Sequence, residues 1–135
     1  RFLDAHESAA RGELAGWIDN AGSTLALILL TDQFPRNLYR GSAHAFATDP
    51  IALAAARESL RRGHDARCPP AMKQFLFMPF MHSEAIADQE LCLSLCRAHG
   101  LADYIAFAED HRNRVLGRIT TAQEQSFLDA GGFAG

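Results

Sequence analysis

The chain has 135 residues, 48% of them hydrophobic and 21% charged, a balance that suits one globular domain and excludes a disordered or fibrous protein. Thirteen Lys+Arg against sixteen Asp+Glu leave a net charge of -3, so the broad basic surface that grips a phosphate backbone is missing and no nucleic-acid partner is expected. Three cysteines, Cys68, Cys92 and Cys96, contain no C-x-x-C pair and argue for a reducing cytoplasm over a disulfide framework.

The chain starts at Arg1 with no basic-then-apolar leader, and its natural N-terminus is expected to lie upstream. Apolar residues at Phe2, Ala5, Ala9, Leu14, Trp17 and Ile18 trace a loose helical stripe over 2–19, weakened by Gly12 and Gly16. Asn20-Ala21-Gly22 reads as a turn and Ser23 as the N-cap of the next helix. That helix holds the longest strictly apolar run, Leu25–Leu30, far short of the ~20 residues that span a bilayer, so no membrane is expected. Pro35 disfavours helical geometry at Phe34, which predicts an end near Gln33 and a loop from Pro35 to Ser42. Asp49-Pro50 starts a helix that runs to about Arg62 and is closed by Gly63. A short piece, Ala71–Met78, is expected to stop at Pro79. A helix over 83–99 follows, ended by Gly100, and then one over 101–116 broken at Gly117. Thr121 with Glu124 matches a capping box for a final helix ending at Gly131-Gly132. Alternating β-branched or aromatic runs are absent. The expected fold is all-α, a single domain of about seven helices joined by short loops.

Polar residues in apolar surroundings mark the candidate sites. Asp32 lies four residues after Ile28 and extends a buried helical face, where a lone carboxylate is costly and needs a partner. Arg36 and Arg40 are the nearest cations. Read structurally, an Asp–Arg pair pins the loop to the helix end; read functionally, one guanidinium fork stays free for a carboxylate or phosphate. His82, Ile86, Gln89 and Leu93 fall on one stripe if the helix includes His82, which makes His82 either a satisfied core histidine or a general base or metal ligand. Glu84 and Asp88, four apart, repel unless a donor or cation stands between them. Cys92, Cys96 and His99 share a face at intervals of four and three, but with Leu91, Leu93 and Leu95 interleaved the reading is core packing and no metal site. His111-Arg112-Asn113-Arg114 and Arg118 are either dipole-complementing surface residues or half of an anion site. No nucleophile elbow, phosphate loop, dinucleotide turn or H-E-x-x-H helix occurs, and no cofactor is expected.

The same segments carry a resemblance. Asp32-Gln33-Phe34-Pro35-Arg36-Asn37 with Tyr39-Arg40-Gly41, Ala45-Phe46-Ala47 with Asp49, and Phe75-Leu76 belong to one pattern. Met78-Pro79-Phe80-Met81-His82-Ser83-Glu84 with Gln89, then Arg112-Asn113, Leu116-Gly117-Arg118 and Phe127-Leu128 complete it. The pattern resembles the bacterial "domain of unknown function 924" family over nearly the whole chain. The resemblance implies an all-helical fold similar to tetratricopeptide arrays, and no established activity. One departure stands out. The family pattern carries a stretch like Phe-Gly-Arg-Phe-Pro-His-Arg-Asn before Leu-Gly-Arg, whereas here Arg112-Asn113 follows His111 directly, so about a dozen residues of a surface loop are expected to be absent.

Three functional readings follow. In the first, Arg36, Arg40, Arg112 and Arg118 supply charge, Asn37 and Asn113 directional hydrogen bonds, and Asp32 orients an arginine, for a small anionic ligand or an acidic peptide end. In the second, His82 is the general base of a small hydrolase, oriented by Glu84 or Asp32. In the third, the motifs only hold helices together and a helical surface binds a protein partner.

Overall fold

The computed structural model describes residues 1–129, with side chains through Arg118, and among these it is helical throughout and contains no strand. Eight α-helical segments follow in order: α1 (Phe2–Ala10), α2 (Ala21–Ile28), α3 (Phe34–Leu38), α4 (Asp49–Arg61), α5 (His64–Arg67), α6 (Lys73–Met81), α7 (Ile86–Ala98) and α8 (Ala102–Asp129). Short 3₁₀ turns join several of them, and a π turn, Leu29–Gln33, joins α2 to α3. The chain divides into two compact units, one from Arg1 to His82 and one from Ser83 onward.

In the first unit α2, α4 and α6 pack on one another. Helix α4 offers the small residues Ala52, Ala55 and Ala56, all buried, which lets α2 and α6 approach closely. Leu27 and Ile28 from α2 and Leu76, Phe77 and Phe80 from α6 fill the space around them. Burying each large side chain stabilises by about 1.5–3 kcal/mol, which is why α6 tolerates Pro79 inside it. The expectation that Pro79 ends the helix is therefore corrected: α6 continues to Met81, and the His82 N–H bonds back to the Met78 carbonyl.

The segment around Pro35 departs further from expectation. In place of an end near Gln33 and a loop after it, the helix widens by one residue, with the Phe34 N–H bonded to the Leu29 carbonyl, and resumes as α3 through Leu38. A widened turn ahead of a proline leaves carbonyls without helical donors. Side chains take them: His6 Nδ1 donates to Leu30 O at 2.8 Å, Thr48 Oγ1 to Thr31 O at 2.7 Å, and Arg36 Nη1 to Asp32 O at 2.9 Å. Three non-helical donors thus replace what the proline removed, and the helix survives.

Other boundaries shift for local reasons. The stripe over 2–19 splits, α1 ending at Ala10 before Gly12 and a 3₁₀ turn spanning Ala15–Asp19. Asn20, not Ser23, caps α2, its side chain accepting from the Ser23 N–H at 2.9 Å, while the Ser23 hydroxyl turns to the Trp17 carbonyl. Asp49 is the first residue of α4 and not its cap, a position held by Thr48. In the second unit α7 and α8 form a helical hairpin around Cys92, Leu93, Cys96, Ala108 and Val115. Gly100, at φ 65°, closes α7 with the Leu101 N–H on Cys96 O at 2.9 Å and its own N–H on Arg97 O at 3.2 Å. The expected break at Gly117 is absent: α8 runs on through it, since a glycine costs only about 1 kcal/mol in a long helix. Thr121 and Glu124 consequently lie inside a continuous backbone helix, so no new helix starts there. The Gly131-Gly132 end lies outside the described residues.

Two outcomes are expected. Thr48→Val keeps the shape but leaves the Thr31 carbonyl buried without a donor, and should lower unfolding free energy by about 1–2 kcal/mol in a urea titration. Glu58 is gripped by Arg61 and, at 2.8 Å, by Arg62, hydrogen bonds that hold its carboxyl down to about 2. A carboxyl lowered on folding stabilises above its unfolded value and loses that contribution as pH falls through about 2. Carbon-detected NMR at pH 3.5 should therefore find Glu58 still ionised, and Arg61→Ala with Arg62→Ala should return it toward the ordinary glutamate range.

Candidate functional site

Asp32 sits in the π turn with its side chain 1% exposed, and its carboxylate is the hub of the site. Oδ1 accepts from His82 Nδ1 at 2.7 Å and from Arg36 Nη1 at 3.1 Å, and Oδ2 accepts from Gln33 Nε2 at 2.7 Å. A buried carboxylate is tolerated only when paired and hydrogen-bonded, and here three side chains meet it. The widened turn makes this geometry. It brings Asp32, Gln33 and Arg36 onto neighbouring positions, and α6 ends so that His82, its C-terminal cap residue, reaches across to the carboxylate.

Arg36 is shared. Besides Asp32, its fork takes Asp49 in two parallel bonds, Nη1 to Oδ1 at 2.8 Å and Nη2 to Oδ2 at 2.9 Å. Its guanidinium also lies over the Phe46 ring, 5.2 Å from the centroid. Two carboxylates and one aromatic face occupy this arginine, so it ties α3 to the start of α4. Arg40 does not reach Asp32; it is exposed, and its one hydrogen bond is a long one to Asn37 Oδ1 at 3.4 Å.

His82 differs from the others in being half committed. Since the acceptor on Nδ1 is a carboxylate, Nδ1 carries a proton, and Nε2 of the neutral ring presents a lone pair. Nε2 makes no hydrogen bond among the described residues, and the side chain is 20% exposed. His82 does not share a helical stripe with Ile86, Gln89 and Leu93, because α6 ends at Met81 and α7 begins only at Ile86.

The remaining candidates belong to the second unit. Ser83 Oγ donates to Asp88 Oδ2 at 2.6 Å and accepts from the Ala85 N–H at 3.1 Å, while Gln89 Nε2 donates to the Ser83 carbonyl at 2.7 Å. These bonds build the entry to α7, and the Ser83 hydroxyl supplies Asp88 with a donor. Glu84 itself is exposed and pairs with Arg118 at 3.2 Å. Arg112 Nη2 donates to Asn113 Oδ1 at 3.3 Å and Nη1 stands 3.8 Å from Glu90, while its buried Nε has no partner. Cys92 and Cys96 are buried free thiols hydrogen-bonded to each other, and that bond with burial pushes the Cys92 thiol up. No group of three or more metal-ligating side chains occurs among the described residues.

A family model described as "Bacterial protein of unknown function (DUF924)" matches residues 1–111. The chain belongs to this family. The solved structure of a protein of unknown function from Agrobacterium tumefaciens, ATU0120, is similar to this chain: 50% identical and covering 85% of it, with a TM-score of 0.82. The chain spans 65% of that protein's length. No curated protein matches. The family match ends at His111, the position where the chain departs from the family pattern, and α8 passes through it without a break.

Asp49, Gln33 and Thr48 are parts of this arrangement that sequence reasoning did not assign to it. Asp49 was legible only as a helix-start signal, because its partner Arg36 is thirteen residues away and separated by two turns. Replacing Arg36 by Met should leave Asp32 and Asp49 without their shared cation and cost about 3 kcal/mol, read by chemical denaturation at neutral pH.

Proposed function

We propose that this DUF924 protein acts by acid–base chemistry on a small molecule, as a hydrolase or related enzyme, with His82 Nε2 taking the proton. The observation that carries the reading is the 2.7 Å bond from His82 Nδ1 to a buried carboxylate, with the opposite nitrogen uncommitted and reachable. A carboxylate behind an imidazole fixes its tautomer and stabilises the imidazolium that forms when Nε2 accepts a proton. Asp32 is the orienting group, while Glu84 is engaged with Arg118. Gln33 and Arg36 are positioning residues that hold the Asp32 carboxylate in place. A water molecule activated by His82 would be the nucleophile, since the chain carries no elbow serine and its cysteines are buried.

A second reading, capture of an anionic small molecule or acidic peptide end, is favoured by Arg40, which is exposed and has no carboxylate partner among the described residues. Asn37 beside it would add a directional donor; Arg36 serves this reading only as scaffolding. The helical surfaces leave room for a protein partner, and the three free cysteines fit a reducing cytoplasm.

The test reads His82 directly. Diethyl pyrocarbonate, an electrophile that acylates neutral imidazole, should modify His82 ahead of the exposed His44 when sites are mapped by mass spectrometry. Hydrolysis of p-nitrophenyl acetate and p-nitrophenyl phosphate should be followed in parallel. At least one rate should fall by about 10²-fold in His82→Gln with the melting temperature unchanged. Equal acylation of His82 and His44, with rates unaffected by His82→Gln, would sink the proposal.

A further inference from the structure

A second polar cleft lies in the first unit, between α1 and the segment after α3. It has a volume of about 360 Å³ and is lined by His6, Glu7, Arg11, Tyr39, His44 and Thr48, over an apolar floor of alanine and isoleucine. His6 is 3% exposed, and its Nδ1–H is spent on the Leu30 carbonyl, so the opposite ring nitrogen is the one turned to the cleft. That Nε2 has no hydrogen-bond partner among the described residues. A nearly buried imidazole with one nitrogen anchored to backbone and the other uncommitted is a fixed acceptor, held in position before any ligand arrives.

The other walls narrow the ligand's chemistry. Tyr39 and His44 meet edge to face with centroids 4.3 Å apart, and the His6 ring stands 6.1 Å from Tyr39. Arg11 lines the cleft, its charge met first by Glu13, at 2.8 and 3.2 Å, and from farther off by Glu7. Thr48 is already bonded to the Thr31 carbonyl. The groups left to a ligand are His6 Nε2, the exposed Glu7 carboxylate, and the Tyr39 and His44 rings, with a hydroxyl and ring nitrogens that can donate or accept. Aromatic faces and a carboxylate favour a cation, and a lone pair favours a hydrogen-bond donor. A protonated amine is both.

We infer that this cleft binds a small ammonium-bearing ligand, the charged nitrogen donating to His6 Nε2, pairing with Glu7 and lying against the Tyr39–His44 aromatic wall. His6, Glu7 and His44 line the cleft but do not form a group that could hold a metal ion, among the described residues. Apart from Thr48, whose hydroxyl is spent on the Thr31 carbonyl, the cleft shares no side chain with the arrangement around Asp32 and His82.

The probe is 2-phenylethylammonium, compared by NMR titration with the uncharged 2-phenylethanol and the anionic 3-phenylpropionate. Saturable shifts of the His6, His44 and Tyr39 ring signals are expected with the ammonium compound, and weaker or no shifts with the other two. Glu7→Gln changes an exposed side chain and should weaken binding by about fivefold without altering the fold. His6→Asn keeps a donor where Nδ1 stood, for the Leu30 carbonyl, and removes Nε2; binding should be lost while the melting temperature holds. If His6→Asn does not fold, Glu7→Gln alone decides. Equal binding of phenylethanol, stronger binding of phenylpropionate, no saturable shift up to about 50 mM, or unchanged affinity in Glu7→Gln each overturns the proposal.

Discussion

A carboxylate placed where water hardly reaches it organises the first unit. A carboxylate at 1% exposure is costly without several donors, and each donor that Asp32 recruits comes from a different position in the chain. Gln33 comes from the neighbouring position, Arg36 from the next turn, and His82 from the far end of α6, fifty residues on. Arg36 then draws in Asp49 and with it the start of α4. One desolvated charge thereby links α3, α4 and α6, the elements that surround it. Replacing such a network by apolar residues would often be neutral for stability. Stability alone therefore does not account for it; the network also fixes which way the His82 ring faces, through its 2.7 Å bond to Asp32.

The π turn is what makes Asp32 available. A regular α-helix through Leu30–Arg36 would meet Pro35 with a steric clash and a missing donor. Widening by one residue relieves the clash and rotates the chain that follows, and the carbonyls of Leu30, Thr31 and Asp32 accept from the side chains of His6, Thr48 and Arg36. Irregular helical turns of this kind recur at functional sites because they re-aim side chains that a regular helix would misplace. The same constraint explains why His6 is anchored through Nδ1 alone, leaving its other nitrogen turned to the cleft beside Tyr39.

How much of this was legible depended on the range of the interaction involved. The all-helical class followed from local signals, namely glycines, cap residues and the shortage of β-branched alternation; the class holds and Gly63 and Gly100 sit at helix ends, although Ser23, Asp49 and Thr121 do not cap helices and Gly117 does not break one. That Asp32 needed a partner, and that Arg36 was a candidate, followed from burial and a spacing of four. Three boundaries failed for one reason: Pro35, Pro79 and Gly117 were read as local breakers, whereas tertiary burial or the length of the surrounding helix outweighs their local cost of about 1–3 kcal/mol. Stopping the helix at Pro79 also detached His82 from it, so the histidine was weighed against a stripe with Ile86 and Gln89 and its reach toward Asp32 from the end of α6 was obscured. Asp49 and His6 act through partners thirteen and twenty-four residues away, which no periodicity in a single sequence encodes.

The division of labour among the arginines bears most directly on chemistry. Arg36 looks from its motif like an anion receptor, yet two carboxylates and a ring face already surround it. A guanidinium in that state offers little field to a ligand, because its charge is more than balanced locally: Asp32 and Asp49 against Arg36 leave one negative charge beside His82. That residual negative charge disfavours a second anion beside it. The balance of charge around Arg36, more than the presence of any one residue, is what weighs against anion capture at this pair of carboxylates.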